Sequence, residues 1–189
     1  MIDGVFPGWL LNRASATVTL ISTGTQWVSM FAFGSFGNKA IPYYEENADL
    51  LQWASVGSYW QIVSENPFSE SPNSLAVAPS GSNYSNGVNS SIVTPAITLS
   101  STNVSFVINM SYSIESAYDY LKVYASKDGG AYSEISSYTG IATGYITYTT
   151  DLSSFMSGGT TLTLKFTFTS DSTNTLAGPK IDYWGIKLN

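Results

Sequence analysis

The side chains that most often carry catalysis are missing from this sequence. Its 189 residues include no histidine and no cysteine, so the usual general base, the thiol nucleophile and the common zinc ligands are absent. A Ser-His-Asp triad is therefore impossible. The stretch Phe33–Gly37 lacks the lysine and the strand-to-helix setting of a phosphate-binding loop. The remaining enzymatic option is a pair of carboxylates, as in glycosidases.

One group of carboxylates is placed where such a pair could form. Glu115 and Asp119 stand just ahead of a predicted strand, and folding could bring them near Glu134 or Asp171. The sequence does not require that meeting, and loop carboxylates are mostly solvated and help to form turns. We expect the solvated arrangement, and we predict a non-enzymatic protein without catalytic residues.

Tyrosine is the other side chain in this sequence that could bind a ligand. Tyr118, Tyr120 and Tyr124 are three of 13 tyrosines, and an aromatic face with a hydroxyl can hold a sugar ring or a protein surface. The alternative is that tyrosine is simply favoured on strands, where cross-strand pairs stabilise an outer face. That alternative is preferred for any single tyrosine, whereas the three together are the candidate ligand-binding residues.

These tyrosines belong to the stretch Tyr118–Gly130, around which the predicted fold is organised. Leu121, Val123 and Ala125 alternate with polar and tyrosine side chains, which is typical of a half-buried strand. Asp128-Gly129 then supplies residues that tolerate positive φ in a tight hairpin turn. The sequence therefore predicts a hairpin that returns toward residues 138–140.

Further strands follow from the same kind of pattern. Val104–Met110 and Leu162–Phe168 carry apolar side chains at alternate positions, which is typical of strands with one buried and one wet face. Ile92–Leu99 is extended, and its Pro95 suits an edge or a bulge. Short strands between turn signals, without a long helical period, predict an all-β fold: a two-sheet antiparallel β-sandwich of jelly-roll type with an N-terminal β-hairpin extension.

Charge and hydropathy exclude several classes of partner. The formal net charge is −6 and the seven lysines and arginines are scattered, so we expect no nucleic-acid partner. No apolar run approaches the roughly 20 residues of a transmembrane helix, so we expect no membrane insertion. The start, Met-Ile-Asp-Gly, lacks the basic and apolar segments of a signal peptide. Either the chain is an excised part of a secreted protein, or it is made and assembled without secretion.

Residues 1–42 differ in character from residues 43–189, and we divide the chain into these two parts. The first part has three charged residues and two strand-like stretches rich in large apolar side chains. A lone hairpin is marginal in water, so these side chains are expected to be buried, either as strands added to the sandwich or as an arm that docks on a neighbouring subunit. The candidate assembly residues of such an arm are Trp9, Trp27, Phe31, Phe33 and Phe36.

The order of short motifs in residues 43–189 resembles a known group of modules. The motifs are Glu45 to Trp53, Pro-Asn-Ser-Leu-Ala at 72–76, the extended segment at 92–99, Glu115–Tyr120 leading into Leu-Lys-Val-Tyr-Ala-Ser-Lys-Asp-Gly-Gly at 121–130, Asp-Leu-Ser at 151–153, Leu162–Phe168, and Gly178 to Asp182. This series is similar to the jelly-roll modules of the MAM and immune-inhibitor-A type, and to the cleaved-adhesin and choice-of-anchor modules of bacterial surface proteins. The resemblance implies a binding or spacer module without catalysis.

The same resemblance implies a calcium ion near the meeting of the first and last strands. Carried over by position, its ligands would be Glu45, Asn73 and Asp182, and hard oxygen ligands of this kind suit calcium. This chain departs from the family pattern at Tyr183, where the modules carry a further aspartate. The alternative is that Glu45 and Asp182 are surface carboxylates in solvent.

Two functional hypotheses follow. In the first, the protein is a structural and adhesion subunit of a larger assembly or homo-oligomer, such as a virion decoration or attachment protein, displayed on a virion or extracellular surface and contacting other protein subunits. In the second, it is a glycan- or protein-binding accessory module of a secreted bacterial surface protein or hydrolase. The first is motivated by the apolar, charge-poor residues 1–42, and the second by the jelly-roll resemblance.

Overall fold

The computed structural model describes residues 53–64, 74–99 and 101–189, and the backbone of three further strands between residues 17 and 46. None of the described residues forms a helix, so this part of the chain contains no helix able to cross a membrane. The described strands are β1 (Thr17–Ser22), β2 (Trp27–Ala32), β3 (Tyr43–Glu46), β4 (Ser55–Val56), β5 (Gln61–Val63), β6 (Ser74–Ala76), β7 (Asn89–Val93), β8 (Ile97–Thr98), β9 (Val104–Ser113), β10 (Tyr120–Lys127), β11 (Ser133–Tyr138), β12 (Ile141–Asp151), β13 (Thr161–Thr169) and β14 (Gly178–Leu188).

Two antiparallel six-stranded sheets form a β-sandwich, as the sequence predicts. The first sheet has the order β11-β10-β13-β7-β4, with β8 also paired to β13. The second has the order β12-β9-β14-β6-β5, with β3 also paired to β14. We call them the β10 sheet and the β14 sheet.

The core lies between these two sheets. Phe106 and Trp184 from the β14 sheet meet Phe166 from the β10 sheet, with ring centroids 6.0 and 5.7 Å from that of Phe166. All three side chains are buried. Because burial of each large apolar side chain contributes roughly 1.5–3 kcal/mol, this aromatic contact holds the sheets face to face.

The alternation predicted for Leu162–Phe168 is confirmed, whereas the wet face predicted for Val104–Met110 is wrong. In β13 every second residue is buried and the others are partly exposed. In β9 all seven residues from Val104 to Met110 are buried. The physical reason is the central position of β9: Asn109 on its outer face donates a hydrogen bond to Thr147 of β12 and lies opposite Tyr183 of β14.

The extended segment 92–99 is two strands rather than one. β7 and β8 both pair with β13, and the chain leaves the ladder between them at Thr94–Ala96, where Pro95 lies. The buried Thr94 side chain bridges the break, because its hydroxyl oxygen accepts the Leu164 N–H at 3.0 Å while the Thr94 N–H donates to the Leu164 carbonyl at 2.9 Å.

The predicted hairpin at Asp128-Gly129 is present and links β10 to β11. Asp128 has φ 51° and Gly129 has φ 73°, the left-handed region that a tight two-residue turn of this type requires. One carboxylate oxygen of Asp128, Oδ1, accepts the N–H groups of Thr160 and Thr161 at 3.0 and 2.8 Å. The hairpin turn is thereby fixed to the start of β13.

The two strands of the N-terminal part form a hairpin of their own. β1 and β2 are antiparallel, with Thr17 opposite Ala32 and Ser22 opposite Trp27, and neither pairs with a described strand of the two larger sheets. The side chains of Trp27 and Phe31 are not described, and Trp9, Phe33 and Phe36 lie outside the described residues. The docking arm, its residues and the boundary at residue 42 therefore remain predictions.

Candidate functional site

Two loops that carry acidic residues meet a third loop at one end of the sandwich. Residues 114–119 connect β9 to β10, residues 170–177 connect β13 to β14, and residues 77–88 connect β6 to β7. Backbone hydrogen bonds join the last two loops: Tyr84 N–H donates to the Leu176 carbonyl at 2.9 Å, and Gly87 N–H donates to the Asp171 carbonyl at 2.6 Å. Segments that are far apart in sequence thus form one surface.

This surface contains a carboxylate cluster formed by Glu115, Asp119 and Asp171. One carboxylate oxygen from each lies within 4.8 Å of the others. Asp119 is fully buried, and both of its oxygens are bonded: Oδ1 accepts the Asp171 N–H at 2.7 Å, and Oδ2 accepts the Tyr84 hydroxyl at 2.6 Å. Asp119 therefore fixes the position of the loop that carries Asp171.

The other two carboxylates are held by short contacts within the loops. Oε1 of Glu115 accepts the side-chain amide of Asn174 at 2.6 Å, while its Oε2 is buried without a hydrogen-bond partner. Oδ1 of Asp171 accepts the N–H of Thr173 at 2.7 Å and its hydroxyl at 3.0 Å. No lysine or arginine of the described chain forms an ion pair with the cluster.

Tyr84 connects the cluster to the core. Its ring packs edge-on against Phe168, with centroids 4.9 Å apart, while its hydroxyl donates to Asp119 and accepts the Glu115 N–H at 3.1 Å. Burial, and then the hydrogen bond to Asp119, raises the pKa of Tyr84 to about 12. The hydroxyl consequently stays protonated and keeps donating to Asp119 across the range in which proteins function.

The solvated arrangement expected for the loop carboxylates is therefore wrong for Asp119, which is 0% exposed. Of the possible partners, Asp171 joins Glu115 and Asp119, whereas Glu134 lies elsewhere and accepts Lys122 Nζ at 3.0 Å. The physical reason is that the Tyr84 hydroxyl and the Asp171 N–H compensate the buried Asp119 carboxylate. Neither partner can be found from spacing, because each lies more than 30 residues from Asp119.

A second feature is the outer face of the β10 sheet, which carries tyrosines and lysines. Tyr124 of β10 lies between Glu134 of β11 and Lys165 of β13 in one row across the strands. Lys165 Nζ is 4.7 Å from the ring centroid of Tyr124 and 4.4 Å from that of Tyr132. Contacts of this kind between a cation and an aromatic ring contribute about 0.5–1 kcal/mol at exposed sites, so they hold the rings in place.

The same face continues along β10 toward the carboxylate cluster. Lys122 Nζ is 5.3 Å from the ring centroid of Tyr120 and forms the ion pair with Glu134, and the hydrogen bond to Glu134 raises the pKa of Lys122. Tyr118, two residues before Tyr120, is 65% exposed. We call Tyr120, Lys122, Tyr124, Tyr132 and Lys165 the tyrosine face.

The structure thus places the predicted ligand residues Tyr120 and Tyr124 on one face and Tyr118 in the loop beside it. Their neighbours are Tyr132 and Lys165, and sequence reasoning did not single out Lys165. The register of β10 against β13, which puts Lys165 opposite Tyr124, could not be read from the sequence. Whether these residues bind a ligand remains a prediction.

The metal site predicted from the family resemblance is only partly described. Asp182 is fully buried, at an irregularity of β14 between residues 181 and 183. The backbone of Glu45 lies opposite Trp184 in the same sheet, two positions along β14 from Asp182. Asn73 lies outside the described residues. The alternative, that Asp182 is a surface carboxylate, is wrong because Asp182 is buried, and the calcium site itself remains a prediction.

Comparisons with known proteins found similarity only at the level of solved structures. No protein-family description and no curated protein sequence matches the chain. The CBM35 structure from Paenibacillus barcinonensis is similar at 15% identity and a TM-score of 0.44, over 77% of this chain and 98% of that one. The K1 cleaved adhesin domain of Lys-gingipain from Porphyromonas gingivalis W83 is similar at 16% identity and a TM-score of 0.47, over 77% and 97%.

A third similar structure is the glycoside hydrolase domain of Endo-D from Streptococcus pneumoniae R6, at 10% identity and a TM-score of 0.44. The match covers 78% of this chain and only 22% of that one. At these identities and scores, none of the three similarities carries information about the ligand or activity of this chain.

Proposed function

We propose that this chain is a non-enzymatic adhesion module, displayed on a surface outside the cell, that binds a glycan through the tyrosine face. The observation that carries the proposal is the row of tyrosine rings held by Lys122 and Lys165 on an outer sheet face. Tyrosine rings on such a face would otherwise be mobile, and preorganised side chains lose less entropy on binding.

The chemistry of the face suits a sugar ring. Aromatic rings offer apolar faces for the C–H surfaces of a sugar, and their hydroxyls can hydrogen-bond to it. Lys122 adds donors and Glu134 adds acceptors at the same place. Tyr132 is 39% exposed, so a ligand can reach its ring without a rearrangement of the sheet.

The first prediction tests this face with a matched pair of tyrosines. Tyr132 and Tyr59 are both 39% exposed, but Tyr59 follows β4, at the opposite edge of the β10 sheet. Wild type is screened on a glycan array, and its best ligand is titrated by calorimetry. We expect Tyr124→Ala and Tyr132→Ala to weaken binding by about tenfold or more, which corresponds to about 1.4 kcal/mol, and Tyr59→Ala to leave it unchanged.

Two results would contradict the proposal. The first is that wild type binds no glycan on the array. The second is equal weakening by all three substitutions, which would place the ligand away from the tyrosine face.

A second candidate function, a structural subunit of a larger assembly such as a virion surface, is supported by the hairpin of β1 and β2. These strands pair only with each other among the described strands, and an isolated two-stranded hairpin is marginal in water. Docking on a neighbouring subunit is one way to bury the many large apolar side chains of residues 1–42.

A further inference from the structure

The β10 sheet, which carries the tyrosine face, differs in charge from the protein as a whole. Its six described strands contain three lysines and one carboxylate, Glu134, whereas the formal net charge of the chain is −6. Glu134 is paired with Lys122 at 3.0 Å. Because exposed charges farther away than about 8 Å are largely screened at physiological ionic strength, a ligand on this sheet meets mainly the local positive charge.

Lys165 supplies that charge within the tyrosine face. Among the residues that the structure describes it forms no ion pair, and its Nζ lies 4.7 and 4.4 Å from the ring centroids of Tyr124 and Tyr132. A ring attracts an ammonium group without cancelling its charge, and the ammonium has three donor hydrogens. Since the side chain is partly exposed, Lys165 presents a positive charge beside two aromatic rings and within reach of a ligand.

The surroundings of Lys165 on β13 are neutral and polar. Thr163 and Thr167 lie two residues to either side, on the same face of the strand, and both are partly exposed. The hydroxyl of Thr167 is 2.8 Å from that of Ser91 on β7. Hydroxyl groups both donate and accept hydrogen bonds, so they can bind sugar hydroxyls, and none of them repels an anion.

We propose that the glycan bound by the tyrosine face is acidic and pairs its anionic group with Lys165. This inference rests on the proposed function and names the class of sugar. The C–H surface of the sugar lies against Tyr124 or Tyr132, and the anionic substituent beside that surface accepts a hydrogen bond from Lys165 Nζ. Lysine acts as a point charge and not as a planar fork, so a carboxylate and a sulfate group both meet the requirement.

The test compares matched pairs of glycans that differ only in charge. Oligosaccharides containing a uronic or sialic acid are paired with their carboxamides, and sulfated oligosaccharides with their desulfated forms, and each is titrated against the full chain by calorimetry. We expect wild type to bind the acidic member of a pair about fivefold more tightly, the upper range for an exposed ion pair. High salt should bring this ratio toward one. The two kinds of pair distinguish a carboxylate ligand from a sulfate ligand.

Three substitutions assign the preference to Lys165. Lys165→Met removes the charge and keeps an unbranched apolar side chain, and it is expected to reduce the ratio to about one. The ratio is the decisive quantity, because a loss of order in the tyrosine rings would weaken both members of a pair alike. Lys165→Arg should keep the preference. Lys187→Met is the matched control: Lys187 is a partly exposed lysine of β14 in the other sheet, so the variant has the same net charge and should keep the full ratio.

The possible failures of this inference and of the proposed function can be told apart. Equal binding of acidic and neutral members by wild type overturns the acidic ligand, while glycan binding itself stands. A wild-type chain that binds no member of any pair overturns both. A preference for acidic glycans that survives Lys165→Met, or that falls equally in Lys187→Met, shows that another cation or the net charge is responsible and overturns the assignment to Lys165.

Discussion

At the scale of single residues, two aspartates accept hydrogen bonds in different environments, one buried and one exposed. Asp119 is buried and uses both oxygens to hold other groups, whereas Asp128 is exposed and uses one oxygen to collect several donors from the start of β13. Hydrogen bonds from the N–H groups of Thr160 and Thr161 lower the pKa of Asp128 to about 2, from an ordinary value of 3.8. Both aspartates therefore join segments, one inside the protein and one at its surface.

The lowered pKa of Asp128 gives a prediction with a definite sign. A carboxyl whose pKa is lower in the folded state stabilises that state when ionised, so its contribution is complete above pH 4 and is lost as the pH falls toward 2. Asp128→Asn keeps an acceptor and tolerates the positive φ, but it cannot ionise. In urea unfolding, we expect the variant to be less stable than wild type at pH 6 and to approach wild type near pH 2. Parallel stability curves between pH 2 and pH 4 would show that Asp128 does not contribute in this way.

At the scale of elements, a side-chain hydroxyl replaces a backbone carbonyl as hydrogen-bond acceptor at the break between β7 and β8. The Thr94 hydroxyl oxygen accepts the Leu164 N–H where a continuous strand would offer a carbonyl, and Thr94 is 1% exposed. A buried N–H without an acceptor costs about 1–3 kcal/mol. The break thus depends on one hydroxyl group.

Replacement of this hydroxyl tests that dependence. Thr94→Val keeps the shape of the side chain and leaves the Leu164 N–H without its acceptor, so we expect a loss of about 1–3 kcal/mol in the free energy of unfolding. Thr98→Val, at an exposed position of β8, is the control and should change it by less than about 0.5 kcal/mol. The measurement is the urea midpoint at unchanged slope. Equal effects from the two substitutions would mean that the Thr94 hydroxyl is not needed.

Elements also show how far the sequence predicts this structure. The hairpin at Asp128-Gly129 and the alternation of β13 are local patterns, and both are confirmed. β12 was missed because its 11 residues are mostly exposed and lack an apolar face. The buried outer face of β9 was also missed, because it depends on which strands lie beside β9 in the sheet.

The candidate sites were harder to predict for the same reason. Tyr120 and Tyr124 share a face by strand periodicity, so the sequence was sufficient to group them. The carboxylate cluster includes Asp171, which lies 52 residues after Asp119. Its backbone N–H donates a hydrogen bond to Asp119, and because every residue except proline has such a group, the sequence does not indicate this bond. Local patterns predict strands and turns, whereas a site built from several loops requires the topology.

At the scale of the whole molecule, the described strands form a two-sheet sandwich and a hairpin, β1 and β2, that pairs with neither sheet. The sandwich has a continuous core between its two sheets, and β1 and β2 pair with neither sheet. Burial of apolar surface drives most protein association, so an N-terminal segment rich in large apolar residues favours contact with another copy or another subunit.

Light scattering of the full chain tests this arrangement, beside a fragment of residues 43–189. We expect the full chain to form a defined oligomer whose mass is several times that of a single 20.3 kDa chain, and the fragment to be a folded monomer by circular dichroism and scattering. A monomeric full chain would remove the assembly role. An unfolded fragment would show that residues 1–42 contribute to the stability of the sandwich.

The position of β14 has a consequence for how the protein is made. This strand runs through the middle of its sheet and pairs with β9 on one side and with β3 and β6 on the other. A ribosome makes β14 after every other described strand, at about 5–20 residues per second. Until then β9 lacks one of its two neighbours and the β14 sheet cannot close, while the hairpin of β10 and β11 and its pairing with β13 need nothing made later. Neither the β14 sheet nor the core between the two sheets can therefore be completed before β14 has emerged.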